Sequence, residues 1–137
     1  MSKSHQDPRS RLHINDAPEV IWNKVRLALT DLVPGVSYDQ VNRPGVSNIL
    51  SIMSSLDGRS RTAEDIARAC NGMSMREFKA EATTTISSGL TTIREKYNRL
   101  MNADNAHYLH TVAIEGCVKA RKQAGMTMDA VRHAVGF

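Results

Sequence analysis

At 137 residues, 41% of them apolar and only six aromatic, the chain is long enough for one core-bearing domain. Its apolar stock of Leu, Ile, Val, Met and Ala favours helices over an aromatic-rich β-sandwich. Eighteen basic and fourteen acidic side chains leave +4, shared as +2 (8 − 6) in residues 1–61 and +2 (10 − 8) in residues 62–137. A concentrated basic tail is thereby excluded, and mild positive charge remains compatible with a phosphate-rich partner. No apolar run approaches the ~18 residues that cross a bilayer. Cys70 and Cys117 form no C-x-x-C pair, and in a chain so poor in cysteine they read as reduced thiols.

Residues 1–15 are polar, carry Pro8 and show no sustained period, which predicts a loop. Asp16-Ala17-Pro18-Glu19 predicts a helix start, with Asp16 as N-cap, Pro18 in the first turn and Glu19 returning a capping bond. Val20, Ile21, Val25, Ala28 and Leu29 follow at helical spacing, and the helix should stop near Asp31, before Pro34-Gly35. Pro44-Gly45 should open a second helix carrying Val46, Ile49, Leu50, Ile52, Met53 and Leu56, ended by Asp57-Gly58. A short third helix is expected from about Thr62 to Cys70, with Thr62 as cap and Asp65 three residues on.

Ser74-Met75-Arg76-Glu77 is a capping box that opens a long fourth helix. Its apolar line is Phe78, Ala82, Ile86, Leu90, Ile93, Tyr97 and Leu100–Met101. Gly89 interrupts it at a cost of about 1 kcal/mol relative to Ala unless close packing requires a glycine. A fifth helix should run from about Ala106 to Val135, with Leu109, Ala113, Gly116, Cys117, Ala120, Ala124, Met128, Val131 and Val135 on one side. The small residues in its middle suit close approach to a neighbouring helix. The expectation is an all-α bundle of about five helices, the last two long and antiparallel.

The candidate chemistry is sparse. His107 and His110 share a helix face, but only Asp104 stands near to extend a metal set, so they read as surface histidines and no metal site is expected. Asp39 and Asp57 lack a catalytic partner that spacing would identify, and the seven Met read as core filler. There is no G-x-G-x-x-G, Walker loop or nucleophile elbow. Lys119, Arg121 and Lys122 cluster on the fifth helix, and Arg94, Lys96 and Arg99 on the fourth. Such clusters attract phosphates; with Glu95 and Glu115 among them, the residues alone favour an ordinary solvated face.

Two stretches carry a family resemblance. Met1-Ser2-Lys3-Ser4 resembles the mobile K-M-S-K-S loop of class I aminoacyl-tRNA synthetases without its first lysine, and His5 stands where many relatives carry aspartate. Tyr38-Asp39-Gln40-Val41-Asn42-Arg43-Pro44-Gly45-Val46-Ser47-Asn48 resembles the start of the C-terminal helical part of tryptophanyl-tRNA synthetases. Thr30-Asp31 and the closing Val131-to-Gly136 stretch extend the likeness to essentially the whole chain. Without the family, Asn42–Asn48 reads as a turn plus an N-cap with an orienting role.

The resemblance implies a chain that begins inside the ATP loop of an enzyme whose Rossmann-type catalytic domain precedes residue 1. Residues 1–15 would be the end of that domain and residues 16–137 the C-terminal α-helical anticodon-binding region. Lys3 would be the catalytic lysine, and Met1, Ser2, Lys3 and Ser4 would contact the ATP phosphates. A positioned ammonium there stabilises charge that develops as pyrophosphate departs, and a mobile loop excludes water only once substrate is bound. The implied substrates are tryptophan, ATP with Mg2+ and tRNA(Trp), with a homodimer in the complete enzyme and no membrane partner. Ser4-His5-Gln6-Asp7-Pro8-Arg9-Ser10-Arg11 is similar to fungal mitochondrial members, which implies the mitochondrial matrix, with the bacterial cytoplasm as alternative. The residues alone leave two rivals open: a non-catalytic helical module that binds RNA or protein, and a plain structural bundle.

Overall fold

The computed structural model describes residues 7–102 and 105–136. Among them every regular element is helical: a 3-10 turn at Pro8–Ser10, then α1 (Pro18–Leu27), α2 (Pro44–Leu56), α3 (Ala63–Ala69), α4 (Met75–Met101) and α5 (Ala106–Val135). The expected all-α class and five-helix order are both found. The chain divides into two units, Met1–Glu95 and Lys96–Phe137.

In the first unit α1 starts differently from its sequence expectation. The N-cap is Ala17, with no side-chain capping bond. Asp16 faces other donors instead, accepting from the His13 N–H at 2.8 Å and from Lys24 Nζ at 2.6 Å. Burial pushes the Asp16 carboxyl up, but the bonds from Lys24 and His13 outweigh it and hold the group below its usual range. The end is also earlier than expected, at Leu27 rather than near Asp31. Lys79, reaching across from α4, donates to the carbonyls of Arg26 (3.3 Å) and Ala28 (2.7 Å), satisfying acceptors that a helix end leaves over. Only Ile21 and Val25 of the expected α1 stripe are buried; Leu29, beyond the helix, is 91% exposed.

The core forms where the stripes of α1 to α4 converge: Ile21 and Val25; Val46, Ile49, Leu50 and Met53; Ile66 and Ala67; Phe78, Ala82, Ile86 and Leu90. Leu12, from the polar leading segment, packs against it. Each fully buried Val, Ile, Leu, Met or Phe among them contributes roughly 1.5–3 kcal/mol over exposure. Between α2 and α3 the Asp57 carboxylate accepts from the Arg61 backbone N–H (3.2 Å), Nε (3.1 Å) and Nη2 (3.0 Å). That guanidinium holds the carboxyl at about 2. The Thr62–Asp65 and Ser74–Glu77 capping boxes form as the sequence predicts, with Glu77 accepting from the Ser74 N–H at 2.8 Å.

Gly89 has the close-packing reason that its helix position demanded. A Cβ there would lie 2.8 Å from the Leu56 Cβ and 2.9 Å from the Leu56 carbonyl oxygen at the end of α2.

The second unit holds the last residues of α4 and all of α5. The 30-residue α5 buries no side chain: Leu109, Val112, Met128, Val131 and Val135 all remain exposed, and a Cβ on Gly116 would meet nothing within 4 Å. The periodicity located the helix, but the close packing expected of its small residues is not found among the described residues. Ile93 and Tyr97, on the expected apolar line of α4, are likewise exposed.

This contrast is testable by substitution. Gly116→Ala should stabilise by up to about 1 kcal/mol through helix propensity. Gly89→Ala should instead destabilise by about 1–3 kcal/mol, because overpacking against Leu56 outweighs the same propensity gain. Urea unfolding followed by circular dichroism reads both; a more stable Gly89→Ala variant would contradict the close approach.

Candidate functional site

The segment singled out by sequence, Tyr38 to Asn48, folds around two anchors. Asp39 closes a tight turn: its Oδ1 accepts the N–H groups of Val41 and Asn42 at 3.0 Å each, and its Oδ2 accepts Asn42 Nδ2 at 2.8 Å. The backbone bond from Asn42, then its side-chain bond, hold the Asp39 carboxyl below its usual range. The Asp39 N–H donates to the Oγ of Ser47, itself 2% exposed, at 2.9 Å, and the Arg43 N–H donates to the Asp39 carbonyl at 2.9 Å. The Tyr38 hydroxyl meets the Gln40 amide and lies 3.5 Å from Ser51 Oγ.

Arg43 is the second anchor, and it is 6% exposed. Its Nε and Nη2 grip the Asp31 carboxylate at 2.8–3.1 Å. Nη1 donates to Ser37 Oγ at 2.8 Å, and Nη2 also reaches the carbonyls of Val33 (3.0 Å) and Gly35 (3.1 Å). One planar fork thus ties down the whole irregular connection from α1 to α2. Arginine suits this because its rigid donors address carboxylate and carbonyls together. The side-chain bond from Arg43 is the main reason the Asp31 carboxyl sits below its usual range. Two residues on, a Cβ at Gly45 would lie 2.3 Å from the Leu29 carbonyl oxygen, so only glycine allows the start of α2 to meet that connection.

The orienting role expected of Asn42–Asn48 is therefore the one the geometry supports. Sequence reading missed Arg43 as its centre and Asp31 as the partner. No periodicity links charges twelve residues apart across Pro34-Gly35.

The candidate basic surface separates into different roles. Arg94 is a tether: Nη1 donates to the Asp16 carbonyl at 3.1 Å, and Nη2 approaches Thr91 Oγ1 at 3.3 Å. Lys96, Arg99, Lys119, Arg121 and Lys122 are exposed, as are His107 and His110. Met1, Ser2, Lys3 and Ser4, the expected ATP-loop residues, lie outside the described residues, as does Asp104. Cys70 is buried, which pushes its thiol up, while Cys117 is exposed. No helix among the described residues is long and apolar enough to cross a membrane.

The family described as tRNA synthetases class I (W and Y) matches residues 1–91. The chain belongs to this family of class I aminoacyl-tRNA synthetases. Among curated proteins it is 37% identical to the tryptophan–tRNA ligase of Rickettsia conorii and 33% identical to that of Bacillus anthracis. It is 35% identical to the mitochondrial tryptophan–tRNA ligase of Saccharomyces cerevisiae. Each match takes in 100% of this chain but only 40%, 40% and 36% of the respective relative. The crystal structure of tryptophanyl-tRNA synthetase from Mycoplasma pneumoniae shares the fold, with a TM-score of 0.69 at 20% identity over 100% of this chain and 40% of that one.

Arg43→Lys keeps the charge but loses the fork, and the carbonyls of Val33 and Gly35 lose their donor. It should destabilise by about 2 kcal/mol. Asp31 has a depressed folded value, so its contribution is present above the ordinary 3.8 and is lost as pH falls below it. The gap between wild type and Arg43→Lys should therefore shrink below pH 3.8. Urea midpoints measured from pH 7 downward check both statements, and a gap that widens in acid would contradict the pairing.

Proposed function

We propose that these 137 residues are the C-terminal part of a tryptophan–tRNA ligase. The supporting observation is the family match over residues 1–91, joined to tryptophan–tRNA ligases that align over the whole chain. In this reading residues 1–15 close the catalytic domain and residues 16–137 form the anticodon-binding region. The complete enzyme, a homodimer, would activate tryptophan and esterify tRNA(Trp). The carboxylate of tryptophan attacks the α-phosphate of ATP and pyrophosphate leaves; a ribose hydroxyl of the tRNA then takes the tryptophanyl group and AMP leaves. The yeast mitochondrial relative supports the mitochondrial matrix as its compartment, and the bacterial relatives support the alternative of a bacterial cytoplasm.

Lys3 would stabilise the departing pyrophosphate, with Met1, Ser2 and Ser4 in the same loop and Mg2+ entering with ATP. A charge that acts in the transition state lowers kcat when removed more than it raises KM. In the complete enzyme, Lys3→Ala should cost on the order of 2–4 kcal/mol in tryptophan-dependent ATP–pyrophosphate exchange. A rate within about twofold of wild type would remove Lys3 from the mechanism. Since the chain spans 40% of the length of its bacterial relatives, residues 1–137 alone are expected to show no exchange, because catalysis needs all its groups held together.

The exposed Lys119, Arg121 and Lys122 would meet tRNA phosphates. Phosphate-based affinity falls linearly with log[salt], with a slope set by the number of phosphates neutralised. Changing all three to Ala should flatten that slope for tRNA(Trp) and leave tryptophan activation unaltered. An unchanged slope and affinity would return these residues to an ordinary solvated face.

A further inference from the structure

The first unit carries an open groove of about 570 Å³ between α1 and the first turns of α4, lined by Trp22, Arg26, Met75, Arg76 and Lys79. Its composition is unusual for this chain. Trp22 is the single tryptophan, and it stands 38% exposed on α1 while smaller side chains fill the core. Arg26 follows one turn later on the same helix, four residues on, where side chains share a face. Arg76 faces the groove from the second residue of α4. Lys79 forms part of the wall, partly desolvated and already donating to the α1 carbonyls.

Among the described residues, no carboxylate lines the groove. Three other arginines serve the fold: Arg43 grips Asp31, Arg61 grips Asp57, and Arg94 reaches the Asp16 carbonyl. Among the described residues, neither Arg26 nor Arg76 has an ion-pair partner, and both are exposed. Two solvated guanidiniums flanking an exposed indole match the needs of an unstacked nucleotide. Phosphates take the charges, and the base takes the π-face. An acidic peptide would satisfy the arginines but give the indole no planar partner.

We infer that this groove holds a nucleotide of a single-stranded RNA loop, with its base on the Trp22 indole and the flanking phosphates on Arg26 and Arg76. The inference rests on the reading of tRNA as partner and adds a contact separate from the basic residues of α5.

The lone tryptophan makes the test direct, because its emission reports on this groove and nothing else in the chain. A labelled tRNA(Trp) transcript is titrated with the 137-residue chain while anisotropy and Trp22 emission are both followed. The expected result is quenching in step with binding. Trp22→Leu should weaken affinity about tenfold, and Trp22→Phe, which keeps a ring, less than threefold. Replacing Arg26 and Arg76 together with Ala, both at exposed positions, should reduce the log–log salt slope by about 1.4, two single-strand phosphates' worth. That double variant decides the matter even if a Trp22 variant fails to fold.

Binding with unchanged emission, and with equal affinity in Trp22→Leu, would overturn the groove and leave tRNA as partner. No binding to the transcript at all would overturn both. Equal quenching and affinity with polyglutamate or inorganic polyphosphate would show a general anion surface and overturn the RNA assignment.

Discussion

The first unit depends on one buried cation. Between α1 and α2 the chain runs through residues 28–43 without regular structure, and its backbone acceptors need partners that a helix ladder would otherwise supply. Arg43 provides them from the far end of that stretch, binding Asp31, Ser37 and the carbonyls of Val33 and Gly35 with one rigid group. Burying a guanidinium is costly unless it is paired and hydrogen-bonded, and here the connection itself supplies the pairing. With the connection held, Gly45 can sit against the Leu29 carbonyl, and α2 enters the core at a defined angle. Arg43, Pro44 and Gly45 are adjacent because clamp, helix start and close approach meet at one point.

Charge in this protein therefore has to be sorted by what each group touches. Asp16–Lys24, Asp31–Arg43 and Asp57–Arg61 each tie residues within or beside a turn or connection, with at least one partner largely shielded from water. Arg68–Asp65 and Arg132–Asp129 are surface pairs within a helix and contribute little. Arg94, counted by sequence among the candidate RNA contacts, is a structural tether. Among the described residues, the exposed cations left for a polyanion include Lys96, Arg99, Lys119, Arg121 and Lys122 in the second unit, and Arg59, and Arg26 and Arg76 beside Trp22, in the first. The net +4 does not distinguish these populations.

The helix class, the order of five helices, both capping boxes and the bounds of α2 and α3 were legible in the sequence. Those features depend on neighbours three or four residues apart, and local spacing encodes them. The start of α1 was misread for the same reason: Asp16 has a good local use as a cap, but Lys24 and His13 offer its carboxylate better partners. The apolar face of α5 was also over-read, since periodicity marks which residues share a side and carries no information on whether anything covers it.

The sequence by itself determined the family, through the Tyr38–Asn48 block, and the secondary structure, through caps and a 3.6-residue period. Only tertiary structure decided what individual side chains do. It made Arg43 a clamp rather than a surface charge and Gly89 a point of contact with Leu56 rather than a helix defect. It also set Arg76 beside the face of α1 that carries Trp22 and Arg26. The physical reason is range. Caps and periods are interactions within one turn of helix, whereas pairings across 12, 33 or 54 residues (43 − 31, 89 − 56 and 76 − 22) are fixed only once the helices pack.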